Sequence, residues 1–254
     1  MRVLVTGGGT VAPIDDVRTI TNVSTGRFAA SISEAALALG AEVWHLHAPN
    51  AALPLLRHAR LDLDAPDPAA ERRRLEDLRL AWMARRDRLH LIPLSSGTVA
   101  DYASNLERLL RTQPIDVAFL AMAVSDFEPD PHSGKLSSSP DELLIRCHRT
   151  PKVIRSVRDW SPSTYLVGFK LLSRASTEEL IAAAGSACET NRADLTVAND
   201  LQTLVAGRHT VHLVRPGHPA ETLAPGPDLA DRLVERALAW AADSPRERPR
   251  PPAA

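Results

Sequence analysis

A glycine run, a polar segment and three isolated lysines are the residues here whose types and spacing could do chemistry. Gly7-Gly8-Gly9-Thr10 follows the aliphatic run Arg2 to Val5, and backbone amides at such a turn can approach a phosphate that a side chain would keep away. Behind it, Pro13 to Arg27 carries Arg18, Asn22 and several hydroxyls just ahead of a helical pattern. That set suits an anionic substrate whose reacting carbonyl needs a donor that does not titrate, which a neutral amide supplies. Ser24 or Thr25 is better placed than Asn22 to cap the helix, leaving Asn22 for chemistry. Only Lys135, Lys152 and Lys170 among 30 basic residues are lysine, and all fall within one 36-residue window. Lysine differs from arginine where a compact, mobile ammonium is needed, so the window points to an anion site. His45 and His47 share one strand face, but no third ligand lies nearby, and a packed pair is the expected reading.

The elements that must position these residues alternate. Arg2 to Val5 reads as a buried first strand, Gly26 to Leu39 as a helix closed by Gly40, and Glu42 to Leu46 as a second strand. Leu89 to Pro93, Val117 to Ala121, Tyr165 to Phe169 and Leu195 to Ala198 read as further strands, with helices over Thr98 to Arg111 and from Ser176-Thr177-Glu178-Glu179, a capping box, to about Asn191. This order predicts an α/β, Rossmann-like doubly wound and mostly parallel sheet, with a small flap or hairpin subdomain in which Glu142 to Arg146 is a short strand. Leu56 to Arg88, dense in Arg, Asp and Glu, reads as a connector plus one solvated helix. Residues 1–242 are expected to form a single domain, with a mobile loop at about 129–140 carrying Lys135, and 243–254, rich in Pro and Arg, to be a disordered tail.

Composition narrows the function classes. With 31 acidic against 30 basic residues the formal charge is −1, and no basic block exists to neutralise a nucleic-acid backbone. The longest apolar run, Val117 to Val124, is too short to span a bilayer, and two cysteines, Cys147 and Cys188, make no disulfide framework, so neither nucleic acid nor membrane is expected as a partner and the location expected is cytoplasmic. A nicotinamide-dependent oxidoreductase, the first alternative, fits poorly. Val11-Ala12-Pro13 delays the helix that a dinucleotide fingerprint needs directly after its glycines, the second strand ends Trp44-His45-Leu46-His47 without an acid for a ribose, and neither Tyr102 nor Tyr165 has a lysine four residues on.

Seven stretches occurring in order then resemble phosphopantothenoylcysteine synthetase, the phosphopantothenate–cysteine ligase family of coenzyme A biosynthesis. They are Val3 to Thr10, Ile14 to Gly26, Met122 to Phe127, Gly134 to Leu136, Thr150 to Ile154, Val167 to Leu171 and Ala193 to Asp200, covering all but the Arg-rich connector and the tail. A first strand beginning at Arg2 leads one to expect the stand-alone bacterial form, without the flavin decarboxylase domain that bifunctional relatives carry in front.

The resemblance implies that a nucleoside triphosphate, CTP or alternatively ATP, with Mg2+, activates the carboxylate of 4′-phosphopantothenate before the amine of L-cysteine displaces the nucleotide. It implies Asn22, Lys135 and Arg18 as catalytic residues, Lys135 closing on the triphosphate while Arg18 and Asn22 face the acyl group. The nucleotide pocket implied is Gly8, Gly9, Thr10, Leu120, Ala121, Met122, Asp126, Lys135, Pro151, Lys152, Val153, Ile154 and Phe169, with no metal-ligand cluster of the chain's own. A homodimer is implied as well. Gly185 to Asn191 departs from the family in holding no lysine. A nucleotide-binding module without turnover is the other alternative, against which Asn22 and Lys135 speak.

Overall fold

A computed structural model describes residues 1–139 and 141–244. The fully aliphatic runs become the interior strands. β1 (Arg2–Gly7), β4 (Glu42–His47), β5 (Leu89–Pro93), β6 (Val117–Leu120), β9 (Tyr165–Leu172) and β10 (Leu195–Asp200) run parallel, and β11 (Val211–Val214) and β12 (Glu221–Leu223) add an antiparallel edge, giving the order β12-β11-β10-β9-β6-β1-β4-β5. Such strands are buried on both faces, which is why they read as continuous apolar runs. Val3, Val5, Phe119 and Val167 face α1 (Arg27–Ala38) and α7 (Leu229–Asp243), whereas Leu4, Ala118 and Leu166 face the layer of α3 (Val99–Thr112) and α4 (Val157–Trp160). α5 (Thr177–Asn191) covers β9 and β10, and the capping box expected at Ser176 and Glu179 opens it.

From β1 the chain winds outward through α1, β4, α2 (Pro68–Arg85) and β5, then returns through α3 to place β6 on the opposite side of β1. The strand order therefore reverses between β1 and β6, and a crevice opens at the carboxyl ends there. Two small hairpins stand over it. β2 (Val11–Pro13) pairs with β3 (Thr19–Thr21), and β7 (Phe127–Pro129) pairs with β8 (Cys147–Arg149).

Several expectations need correction. Glu142 to Arg146 is exposed coil, and the strand that pairs in the flap is Cys147–Arg149 instead. The apolar run there has no strand beside it to satisfy its amides, and Leu144 stays 92% exposed. The N-cap of α1 is Gly26 at φ 70°, where a Cβ would lie 2.9 Å from that of Ala51, and Thr25, one residue earlier than a side-chain cap stands, accepts Arg27 N on its hydroxyl at 3.4 Å. Lys152 precedes a short 3-10 turn, Val153–Ser156, that leads into α4. β11, β12, α6 (Leu201–Val205) and α7 escaped the sequence reading. Of the expected tail, Asp243 ends α7, and 245–254 lie outside the described residues.

Candidate active site

The turn leaving β1 and the segment leaving β6 are bonded into one floor. Gly8 takes φ 93°, a conformation glycine adopts without strain, and a Cβ there would lie 2.7 Å from that of Ala48. Ala123 N donates to Gly8 O at 2.9 Å, Thr10 N donates to Ala123 O at 3.1 Å, and Gly9 bridges Ala123 in parallel. Thr10, fully buried, accepts Ser125 N on its hydroxyl at 2.9 Å and Thr21 Oγ1 on its carbonyl at 3.0 Å. Leu120, Met122 and Val153 bury their side chains in the core beneath, so they shape the floor rather than reach above it. Ala121 is half-buried between Leu120 and Met122.

Asn22 emerges from β3 onto this floor. Its side-chain amide donates to Ala123 O at 3.3 Å, and its own carbonyl sits under Gly9, where a Cβ would come within 2.7 Å. The β2–β3 turn also holds Arg18, whose guanidinium donates to Asp15 Oδ2 and to Leu136 O at 2.9 Å. Leu136 follows Lys135, so Lys135, exposed on its loop, is carried next to the hairpin that bears Arg18 and Asn22. The Arg18 guanidinium, with backbone donors from Leu136, Val17 and Arg18 outweighing burial, holds the Asp15 carboxyl well below the usual carboxylate range.

On the other wall, Asp126 and Lys152 form an exposed ion pair, and Pro151 beside them is exposed. Thr150 fastens this strip by donating its amide to Asp126 O at 3.1 Å and its hydroxyl to Ser125 O at 2.6 Å. Ile154 packs over Gly168, leaving 3.2 Å for a Cβ. Phe169, half-buried in the middle of β9, meets Phe28 of α1 edge-on at 6.3 Å, and Phe28 meets His209 at 4.6 Å. Asn199 Nδ2 lies 3.5 Å from His209 Nε2. Phe28 and His209 thus form an aromatic wall that sequence reasoning missed, since His209 comes from a loop far along the chain. Burial lowers the His209 pKa, favouring the uncharged ring.

α1 begins at this crevice with a glycine at its N-cap, so that one long bond from Arg27 N to Thr25 Oγ1 at 3.4 Å stands where Asp67, Thr98 and Ser176 cap α2, α3 and α5 from the N-cap itself. Unspent amides at a helix start favour an anion. His45 and His47 form no metal site: His45 Nδ1 meets Ser33 Oγ at 2.8 Å and His47 Nδ1 meets Ala48 O at 2.9 Å, both rings being buried. No group of three or more His, Cys, Asp or Glu suited to a metal occurs among the described residues, nor does any helix long and apolar enough to cross a membrane.

A doubly wound sheet with a glycine turn, a helix start and basic loops at its switch point defines an α/β protein of the Rossmann-like class. More narrowly, the chain belongs to the family of the DNA/pantothenate metabolism flavoprotein C-terminal domain, whose model matches residues 1–63 and 92–239. It is 31% identical over 213 residues to the coenzyme A biosynthesis bifunctional protein CoaBC of Thermococcus kodakarensis, covering 84% of this chain and 44% of that protein. It is 30% identical over 260 residues to the phosphopantothenate–cysteine ligase of Mus musculus, covering 91% and 81%. The chain thus spans about half the length of the bifunctional relative. A crystal structure of the DNA/pantothenate metabolism flavoprotein from Streptococcus pneumoniae superposes with TM-score 0.75 at 27% identity, covering 94% of this chain and 99% of that one. Cab2 mutant H337A in complex with phosphopantothenate-cysteine shares the fold, with TM-score 0.81 at 24% identity, covering 95% and 86%. The gap in the family match, 64–91, is the Arg-rich connector. A nicotinamide oxidoreductase finds no support in these relatives.

Proposed function

We propose that this protein is a phosphopantothenate–cysteine ligase of coenzyme A biosynthesis. The observation that carries the reading is the joining of Asn22, the Gly8-Gly9-Thr10 turn and Ala123 by hydrogen bonds at the switch point, with Lys135 tied to the same hairpin. A carboxylate cannot expel oxide, so amide formation needs activation. The 4′-phosphopantothenate carboxylate attacks the α-phosphorus of a nucleoside triphosphate, the bond to the β-phosphate breaks, and pyrophosphate leaves. The cysteine amine then attacks the acyl carbon, loses a proton, and the nucleoside monophosphate departs.

Positioning and charge stabilisation dominate such steps. Main-chain donors of Gly8, Gly9 and Thr10 and the start of α1 line the nucleotide, with Leu120, Ala121 and Met122 beneath. Asp126, Pro151, Lys152, Val153 and Ile154 form one wall and Phe169 the base wall. Lys135 follows the charge onto departing pyrophosphate. Arg18 faces the anionic substrate, and Asn22 donates to the acyl oxygen as it becomes tetrahedral. A magnesium ion would ride on the triphosphate's own oxygens and waters, because the chain offers cations here rather than a ligand cluster.

CTP is the nucleotide proposed, with ATP the competitor. A homodimer is proposed on the apolar side chains Val17, Ile20, Val23, Phe127, Leu144 and Ile145, all more than a third exposed on the two neighbouring hairpins. Sedimentation at graded concentration tests it. A cytoplasmic location accords with two free cysteines, Cys147 and Cys188. The deciding experiment measures pyrophosphate release with 4′-phosphopantothenate, cysteine and each of the four nucleoside triphosphates. Release that requires phosphopantothenate supports the ligase, and the fastest nucleotide fixes the base. Nucleotide binding without release would favour a silent module.

A further inference from the structure

Lys135 is flanked by two residues whose backbone polar groups are all taken up by Asp15, Asp16 and Arg18. Leu136 N donates to Asp15 Oδ2 at 2.9 Å, and Leu136 O accepts Arg18 Nη2 at 2.9 Å. On the other side, Gly134 N donates to Asp16 Oδ2 at 3.1 Å, and Gly134 O accepts Asp16 N at 3.3 Å. Two residues further back, His132 N donates to Ile14 O at 2.9 Å. The Asp15 side chain is fully buried although it lies in a turn that leads into an exposed strand, β3. Its Oδ1 accepts Val17 N at 3.0 Å and Arg18 N at 2.8 Å, while its Oδ2 takes Arg18 Nε at 3.0 Å. One carboxylate thus closes its own turn, orients the arginine and grips the lysine loop, and charge-assisted bonds of this kind are the strong ones.

An exposed loop rich in Pro, Ser and Gly ordinarily carries a large conformational entropy, and a lysine on it would sample many positions. Here the chain on both sides of Lys135 is pinned to the hairpin that bears Asn22. We propose that Asp15, assisted by Asp16, is a positioning residue that fixes the Lys135 backbone relative to Arg18 and Asn22 and acts on the nucleotide only through Lys135. The inference rests on the ligase reading for its chemistry, while the clamp itself is independent of it.

Asp15→Asn keeps the side-chain volume and a carbonyl oxygen for the turn, and replaces the oxygen that accepts Leu136 N and Arg18 with an amide group that cannot. Asp16→Ala, at an exposed position, loosens the Gly134 side without touching the buried carboxylate. Two measurements decide. Amide hydrogen exchange at Gly134 and Leu136 should quicken at least about tenfold in the respective variants. Phosphopantothenate-dependent pyrophosphate release should fall in kcat between about 10- and 100-fold for Asp15→Asn, with KM for cysteine unchanged. Combined with Lys135→Gln, Asp16→Ala should not slow the enzyme further, because the group it positions is already gone, whereas Asp15→Asn should keep the part of its loss that comes from releasing Arg18. Exchange rates equal to wild type would overturn the clamp. A loss from Asp16→Ala that multiplies fully with that of Lys135→Gln would overturn the positioning role. If wild type released no pyrophosphate, the ligase reading would fail while the exchange data still judged the clamp.

Discussion

Gly9 and Asn22 touch so closely that no other residue fits at position 9: a Cβ there would stand 2.7 Å from the Asn22 carbonyl oxygen and 3.6 Å from the Ser24 Cβ. The constraint is steric, and the only ways out are to displace Asn22 or to bend the β1 turn. Gly9→Ala should therefore cut turnover about 10- to 100-fold through misplacement of Asn22, at a cost of roughly 1–3 kcal/mol in stability. Steady-state kinetics beside a urea melt would separate the two effects. Normal turnover would mean that Asn22 can shift without harm.

Asn22 itself is tested by charge. Asn22→Asp retains the shape but trades the donor for an acceptor-only group facing the Ala123 carbonyl and, in the reaction, the acyl oxygen. The acyl-nucleotidylate should still form while amide formation stalls, so quenched-flow analysis should find the intermediate accumulating. Wild-type amide turnover would remove Asn22 from the second step.

Lys135→Gln should slow nucleotidylation by about 100- to 1,000-fold, the scale on which single charge-stabilising donors act. Lys135 is exposed, so its loss should change stability by no more than about 0.5 kcal/mol. A matched loss of melting temperature and activity would make the residue structural instead.

Away from the crevice, Arg158 Nη2 and Asp194 Oδ2 meet at 2.5 Å with both side chains about nine-tenths buried. Asp194 also accepts Leu166 N at 2.7 Å, fastening β9 at its start, and Arg158 Nε donates to Arg192 O at 2.7 Å. Burial, with the Arg192 charge nearby, brings the Arg158 pKa down to about 10. Arg158→Met leaves the carboxylate buried without its cation and should cost about 3–5 kcal/mol. A denaturant midpoint close to wild type would contradict this.

His45 governs an acid response. Burial and, secondarily, the His47 charge lower its pKa from 6.5 to about 3. Between those values the unfolded chain binds a proton at this ring that the folded chain refuses. Stability is therefore lost as pH falls from 6.5 toward 3, by up to about 1.4 kcal/mol per pH unit. His209 and His212, lowered by burial, act in the same direction. His45→Asn should flatten the fall in melting temperature between pH 6.5 and 4, leaving the smaller slope of the other two. An unaltered slope would assign the response elsewhere.

The centre of this fold was legible because β1, β6 and the first halves of β9 and β10 are apolar on both faces, and with β4 and the edge strand β5 they each stand within a few residues of their predicted positions. The family resemblance was legible for a different reason, since Gly8, Asn22 and Asp126 lie in short stretches that local backbone geometry fixes. The flap misled because pairing depends on what lies beside a strand, and Leu143 to Ile145 is an apolar run without a neighbour. Asp15 stood within a quoted motif, yet its partner Leu136 is 121 residues away and no local pattern announces the contact. Only the Asx-turn spacing from Asp15 to Val17 and Arg18 could have hinted at a fixed carboxylate. His209 gave no signal, because an aromatic wall assembled from α1, β9 and a distant loop exists only after folding.

The ion pair of Lys152 with Asp126 has one last implication. Both groups are more than half exposed, so releasing one another costs little. An arriving nucleotide could draw the ammonium to its phosphates and leave the carboxylate to its hydroxyls, neither charge ever standing alone. Ligand entry would then be an exchange of companions at nearly constant local charge, and occupancy should respond only weakly to added salt through these two groups.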